Sequence, residues 1–245
     1  MIAGFIGSGS MAAAMARGWN GQFEGMLFSD SGSGRAKALA EELGGQVASN
    51  REIAERADFV VVAVKPAALD AVSPDLGAAK RIVSILAAVP LKRLKEAFPG
   101  TEVLRVMPNV GVEVRRGVLC VAGEASEQVR GALAVLGHVV EIRDEDFDAA
   151  TAVMGCAPAY LALAVEAIAR AGAADGLDPD LARELIVETA AGTAELLRIH
   201  RPADVQKAVA SPGGSTEAGL EALDREGASE AFEAAVRASL ERMRR

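Results

Sequence analysis

Short apolar runs alternate with helical patterns through the first 143 residues of the chain, and then the short runs stop. Ile2–Ile6, Met26–Ser29, Phe59–Val64, Arg81–Leu86, Glu102–Met107, Val118–Ala122 and His138–Ile142 read as strands, with a weaker one at Gln46–Ala48. Phe59–Val64 is apolar throughout, the pattern of a parallel strand covered on both faces. Helical patterns such as Arg35–Leu43 and Leu91–Phe98 fall between the strands. Alternation of this kind predicts an α/β fold with a doubly wound sheet, whose ligands lie outside the carboxyl ends of its strands.

Beyond Arg143 an acidic hinge, Asp144-Glu145-Asp146, leads into alanine-rich helices expected at Phe147–Ala174, Pro179–His200 and Ala228–Arg244, with a shorter one near Ala203–Val209. Asp178 followed by Pro179 is an N-cap followed by a proline at the first helical position. From Ala157 to Ala174 the only charged side chains are Glu166 and Arg170, four apart and so on one face. A helix apolar nearly all round must be covered all round, and about a hundred residues of helix cannot cover several such surfaces alone. A second subunit is therefore expected on residues 144–245; a compositional bias toward alanine is the alternative. The most apolar stretch, Ala149–Val165, carries Thr151, Gly155 and Pro158 and runs into Glu166, so a buried soluble helix is expected there in place of a membrane span.

The first strand breaks into Gly7-Ser8-Gly9-Ser10-Met11-Ala12 and then a helical pattern. A G-x-G-x-x-A turn between strand and helix predicts a dinucleotide site: Gly7 permits the turn, Gly9 lets a pyrophosphate approach, and Ala12 packs on the strand. The second strand ends at Ser29-Asp30, where an acid would meet the adenine ribose; Ser31, Ser33 and Arg35 follow, at a helix start able to take a 2′-phosphate. Asn50 is expected either to cap the helical Arg51–Arg56 or to contact adenosine. Ala63-Val64-Lys65-Pro66 and Met107-Pro108-Asn109 close two further strands at the edge of the crevice, although a lysine there can simply be solvated and a Pro-Asn pair can be a plain turn. Ser211-Pro212-Gly213-Gly214-Ser215-Thr216 precedes a helical Glu217–Leu223; it is either an interhelical turn or a set of N–H groups suited to a carboxylate.

A net charge of -8 argues against a nucleic-acid partner, and Arg242, Arg244 and Arg245 read as a solvated helix end. Cys120 and Cys156 are too far apart for a C-x-x-C motif and read as reduced, and His138 and His200 lack partners at ligand spacing, so no metal is expected. Met1 runs straight into the first strand without a leader pattern, and a cytoplasmic location is expected.

In this order, Phe5-Ile6-Gly7-Ser8-Gly9-Ser10-Met11, Ala63-Val64-Lys65-Pro66, Val106-Met107-Pro108-Asn109, Pro158-Ala159-Tyr160 and Ser211–Leu220 resemble the pyrroline-5-carboxylate reductase family across essentially the whole chain. The resemblance implies an N-terminal Rossmann-type domain over residues 1–143 and an all-helical dimerisation and substrate-binding domain over 144–245. It implies a homodimer or an oligomer of dimers that reduces 1-pyrroline-5-carboxylate to L-proline with NADPH, or with NADH. The cofactor-binding set is expected to be Gly7, Ser8, Gly9, Ser10, Met11, Ser29, Asp30, Asn50, Ala63, Val64, Lys65, Pro66, Met107, Pro108 and Asn109. Gly213, Gly214 and Ser215 are expected to hold the substrate carboxylate, with the Thr216 hydroxyl near the ring nitrogen. The chain departs from the family pattern at Ser10 (asparagine), Val89 (glycine), Val110-Gly111 (Thr-Pro) and Met154-Gly155-Cys156-Ala157-Pro158 (Ser-Gly-Ser-Gly-Pro). Other readings are a reductase of a related cyclic imine and a nucleotide-binding sensor or scaffold without turnover. A β-hydroxyacid dehydrogenase ranks low, because Met154–Val165 lacks the lysine such an enzyme needs.

Overall fold

The structure is a computed structural model that describes residues 1–244. Eight strands form one sheet: β1 (Ile2–Ile6), β2 (Gly25–Ser29), β3 (Gln46–Val47), β4 (Phe59–Val62), β5 (Arg81–Ser84), β6 (Glu102–Pro108), β7 (Gly117–Gly123) and β8 (Gly137–Glu141). Their order is β3-β2-β1-β4-β5-β6-β7-β8, with every neighbouring pair parallel except β6 and β7. The doubly wound sheet is thus present, and it is mixed: a turn at Val110–Val114 reverses the chain, so β7 and β8 run against the other six. The predicted strands Phe59–Val64 and Arg81–Leu86 each stop two residues early, at Val62 and Ser84, where the chain leaves the sheet.

The helices of this part are α1 (Ser10–Gly18), α2 (Arg35–Leu43), α3 (Asn50–Arg56), α4 (Leu69–Val72), α5 (Leu91–Ala97) and α6 (Glu127–Leu136). Strand alternation explains why β4 has no polar position. Phe59 and Val61 enter the core on one face of the sheet with Phe5, Trp19 and Phe28, while Val60 and Val62 enter the other with Ile6, Leu27 and Ile53. Trp19 is fully buried, and its indole N–H donates to the Ala132 carbonyl at 2.7 Å. A buried ring of this size keeps its single donor satisfied.

The chain continues through α7 (Phe147–Ala150), α8 (Ala157–Ala174), α9 (Pro179–Leu197), α10 (Pro202–Val209), α11 (Ser215–Arg225) and α12 (Ala228–Met243). The expected continuous helix Phe147–Ala174 is interrupted by a π-helical turn at Thr151–Gly155. Asp178 caps α9, its carboxylate accepting from the Asp180 and Leu181 N–H groups. Arg245, expected in the solvated helix end, lies outside the described residues.

Contacts divide the chain into two compact units, Met1–Gly155 with the chain end from Leu240, and Cys156–Ser239. In the second unit α8 packs on α9, yet Leu161, Leu163 and Ile168 of α8 and Leu181, Leu185 and Val187 of α9 remain exposed. Among the described residues of α8 to α12 only Ala182 is buried. In the single chain the burial expected for Ala149–Val165 is thus found only at Ala152, and Asp144–Ala174 is long and apolar enough to cross a membrane by length and composition.

Candidate active site

Parallel pairing puts the carboxyl ends of β2, β1, β4, β5 and β6 on one edge: Ile6 lies opposite both Ser29 and Val62, and Val62 opposite Ser84. Gly7–Met11, Ser29-Asp30, Ala63–Pro66 and Met107–Asn109 all follow or close those strands, so the topology gathers them there. β1 lies between β2 and β4, where the strand order reverses and a crevice opens.

The glycine turn is held from three sides. The Gly7 N–H donates to the Ser29 carbonyl at 3.1 Å, and the buried Ser8 hydroxyl donates to the same oxygen at 3.0 Å. Gly7 has φ +96°, and a Cβ there would sit 2.7 Å from the Ala63 carbonyl oxygen, so only glycine fits. Gly9 caps α1, and a Cβ built on it meets nothing within 4 Å, so its backbone faces open space. A cleft of about 400 Å³ lies beside it, lined among others by Ser8, Gly9, Ser10, Arg17, Arg35 and Val110. Ser10 is exposed, Met11 is partly buried against the core, and Ala12 is buried beneath the turn. The open backbone, the helix start and the cleft fit a bound pyrophosphate.

Ser29 closes the floor, donating to the Asn50 side-chain oxygen at 2.7 Å. Asn50 is not the cap of α3. Ser49 takes that role, accepting from the Glu52 N–H while Glu52 reaches back to the Ser49 N–H at 2.8 Å. This capping box was legible as Ser-x-x-Glu, and it frees Asn50 to bind Ser29.

Asp30 turns onto its own loop. Its carboxylate accepts from the Ala36 N–H at 2.8 Å, the Gly32 N–H at 2.7 Å and the Ser33 hydroxyl at 2.9 Å. These bonds, the one from Ala36 foremost, hold its carboxyl below the usual aspartate range. Arg35 is exposed, and among the described residues it makes no ion pair. Arg17 is instead committed, bound at both ends of its fork to Glu42 and reaching Glu113 at 3.3 Å.

Lys65 is exposed and its carbonyl accepts from the Ala68 N–H, while Pro66 starts a 3-10 turn. Ala63 and Val64 are half-buried, Met107 and Pro108 buried. The Asn109 side chain is tied at both of its polar atoms: its oxygen accepts from the Val118 N–H at 3.1 Å and the Gly111 N–H at 3.2 Å, and its nitrogen donates to the Met154 carbonyl at 3.2 Å. The sequence offered half of this contact, since Pro158 has no N–H for the Met154 carbonyl four residues earlier, but nothing in it linked Met154 to Asn109, 45 residues away. Burial pushes the Cys120 thiol up, and Cys156 is likewise free. The residue after β5 that adopts the left-handed conformation favouring glycine is Ala88, φ +57°, and not Val89, which is buried.

In the second unit Gly213, Ser215 and Thr216 are exposed at the start of α11, which begins at Ser215, two residues earlier than expected. Gly213 has φ +70°, and its N–H donates to the Glu217 carboxylate at 2.7 Å. The Gly214 N–H donates to the Ser211 carbonyl at 2.9 Å.

Comparison with known proteins follows the same division. Residues 2–88 match the family model described as NADP oxidoreductase coenzyme F420-dependent, and residues 144–245 match that described as pyrroline-5-carboxylate reductase dimerisation. The chain is 39% identical over 204 residues to a pyrroline-5-carboxylate reductase of Synechocystis sp., covering 79% of this chain and 76% of that one. The solved 1-pyrroline-5-carboxylate reductase of Streptococcus pyogenes superposes with a TM-score of 0.89 at 30% identity, covering 99% of this chain and 98% of that one. The Plasmodium falciparum pyrroline carboxylate reductase, solved with NADP bound, superposes with a TM-score of 0.85 at 26% identity, covering 99% and 97%. With similarity at this level running through both units, the chain belongs to the pyrroline-5-carboxylate reductase family.

Proposed function

We propose that this protein reduces 1-pyrroline-5-carboxylate to L-proline with NADPH. The observation that carries the reading is the gathering of four strand-end segments on one sheet edge, in a chain whose relatives of that activity match it over nearly its whole length. Residues 1–143 are proposed as the dinucleotide-binding domain and 144–245 as the helical dimerisation and substrate-binding domain.

Bound NADPH supplies the hydride. The Gly7–Met11 turn holds the pyrophosphate on main-chain N–H groups, Ser29 and Asn50 close the adenosine side, and Ala63–Pro66 and Met107–Asn109 border the nicotinamide side. Asp30 already binds its own loop, the Ser33 hydroxyl included, which leaves Ser31 and Arg35, the latter without an ion pair among the described residues, to receive a 2′-phosphate and supports NADPH over NADH. Gly213, Gly214 and Ser215 bind the substrate carboxylate. The Thr216 hydroxyl hydrogen-bonds the ring nitrogen, which gains a proton, from that hydroxyl or from water, as the C=N carbon gains hydride. Such a reaction asks little of titrating side chains; most of the acceleration comes from holding two rings at reaction distance.

The exposed apolar faces of α8 and α9 and the match to a dimerisation model support a homodimer, or an oligomer of dimers, and a cytoplasmic location is proposed with it. The test is cofactor oxidation with 1-pyrroline-5-carboxylate, first with NADPH and then with NADH. Turnover faster with NADPH is expected, and tight NADPH binding without turnover would overturn the reading. Thr216→Ala is expected to lower kcat/KM about tenfold to a hundredfold; an unchanged rate would remove its hydroxyl from the mechanism.

A further inference from the structure

β6 ends at Pro108, and the next residue ties three pieces of chain together. Through its main chain Asn109 donates to the Val118 carbonyl at 3.1 Å and accepts from the Val112 N–H at 3.2 Å. Its side-chain oxygen holds the Gly111 and Val118 N–H groups, which settles how the chain reverses from β6 into β7. Those contacts alone describe a turn residue. The third contact does not belong to that turn: the side-chain nitrogen donates to the main-chain carbonyl of Met154.

Met154 lies in the π-helical turn Thr151–Gly155, between α7 and α8. A π turn breaks the regular helical ladder, and such turns concentrate at functional sites. The turn is fastened at its other end as well, where the Thr151 hydroxyl donates to the Phe147 carbonyl at 2.7 Å and the buried Phe147 ring packs with Met107 and Cys120. An amide side chain supplies at this spot an acceptor for two N–H groups and, on a separate atom, a donor that reaches the Met154 carbonyl. Aspartate has the same shape and keeps the acceptor, but sets a carboxylate oxygen against the Met154 carbonyl.

We propose that Asn109 is a positioning residue for imine reduction: its amide nitrogen pins the Thr151–Gly155 turn to the carboxyl end of β6 and so fixes the wall of the crevice at its nicotinamide side. The inference rests on the function proposed above. Its consequence is that the Asn109 side chain acts through Met154, while what borders the cofactor at this position is the main chain, which the variants below retain. Displacements of an ångström at a wall of this kind cost up to about a hundredfold in rate, because hydride transfer depends steeply on the placement of both rings.

The experiment compares Asn109→Asp with the wild type in the full-length protein, measuring kcat and KM for 1-pyrroline-5-carboxylate and, separately, the Kd for NADPH by fluorescence. The expected result is a fall in kcat of about tenfold or more with an NADPH Kd unchanged within a factor of two. A Kd that rises in step with the loss of rate would make Asn109 a cofactor contact and overturn the proposal. A lowered melting temperature with wild-type kcat, KM and Kd would make it a turn residue only, and overturn it equally. If Asn109→Asp yields no soluble protein, Asn109→Ser, too short to reach Met154, carries the same measurements with the same expected split. A wild-type protein that binds NADPH but does not turn over the imine would defeat the proposed function itself, a failure read before any variant is made.

Discussion

The chain carries two glycine-bearing turns at helix starts, Gly7–Ser10 and Gly213–Thr216, and they are built on opposite principles. The first is shaped by distant chain: its amide and hydroxyl bind the end of β2, and its backbone rests on the end of β4. The second is shaped by its own neighbours, since the Gly213 and Gly214 N–H groups reach only Glu217 and Ser211. The first is a rigid receptor with its open side, at Gly9, facing space. The second has its leading amide covered by a carboxylate, whose place a ligand carboxylate would take under the function proposed above. Under the proposed function, a cofactor cradle and a substrate anchor would thus differ in how much of their shape is made before the ligand arrives.

The sharpest way to break this contrast is Gly7→Ala. A left-handed alanine costs roughly 1–2 kcal/mol, and the clash with the Ala63 carbonyl adds to it, so a total of about 2–4 kcal/mol is expected. Urea denaturation measures the stability and fluorescence titration the accompanying loss of NADPH binding; a variant that keeps both would show the turn to be less constrained than its geometry implies.

Glu217→Gln sharpens the other side. With the charge removed, the Gly213 N–H is held by a weaker neutral acceptor, and the KM for the imino acid is expected to fall about threefold with kcat little changed. A raised KM would mean that Glu217 builds the anchor and does not compete for it.

The smallest effect is expected at Asp30. Its folded-state carboxyl lies below the ordinary range, so its bonds contribute stability at neutral pH that is lost as pH falls through the folded value, with none left once both states are protonated. The wild type should exceed Asp30→Asn in urea midpoint at pH 7, and the gap should close only in acid below the folded-state value, which itself lies under the ordinary aspartate value of about 3.9. A gap that persists there would locate the role of Asp30 in shape and not in charge.

How far the sequence could be read follows from the range of each interaction. Strands were legible because apolar runs such as Phe59–Val62 have a single means of being covered on both faces. The cap at Asp178 was legible because its bonds reach two and three residues ahead. The cap at Ser49 was equally local, and reading Asn50 in its place overlooked Glu52 three residues on. The π turn was overlooked although Gly155 and Pro158 interrupt the helical pattern of residues 147–174: Pro158 has no N–H for the Met154 carbonyl four residues earlier, and only the fold shows that Asn109 supplies it. Arg105 was read simply as part of a strand. In the structure it is buried against Phe147 and paired with Asp144 at 2.8 Å, a contact spanning 39 residues.

The amino-acid sequence by itself determined the alternation of strand and helix, the glycine turn after β1, and the surplus of apolar helix that calls for a second subunit, because each depends on periodicity or on neighbours a few residues apart. Tertiary structure alone decided that β7 and β8 run against the sheet, that Arg105 pairs with Asp144, and that Asn109 reaches Met154. Those outcomes depend on which hydrogen-bonding groups meet once the strands are paired, and a buried donor or acceptor takes the partner that the fold brings near, however distant it is along the chain.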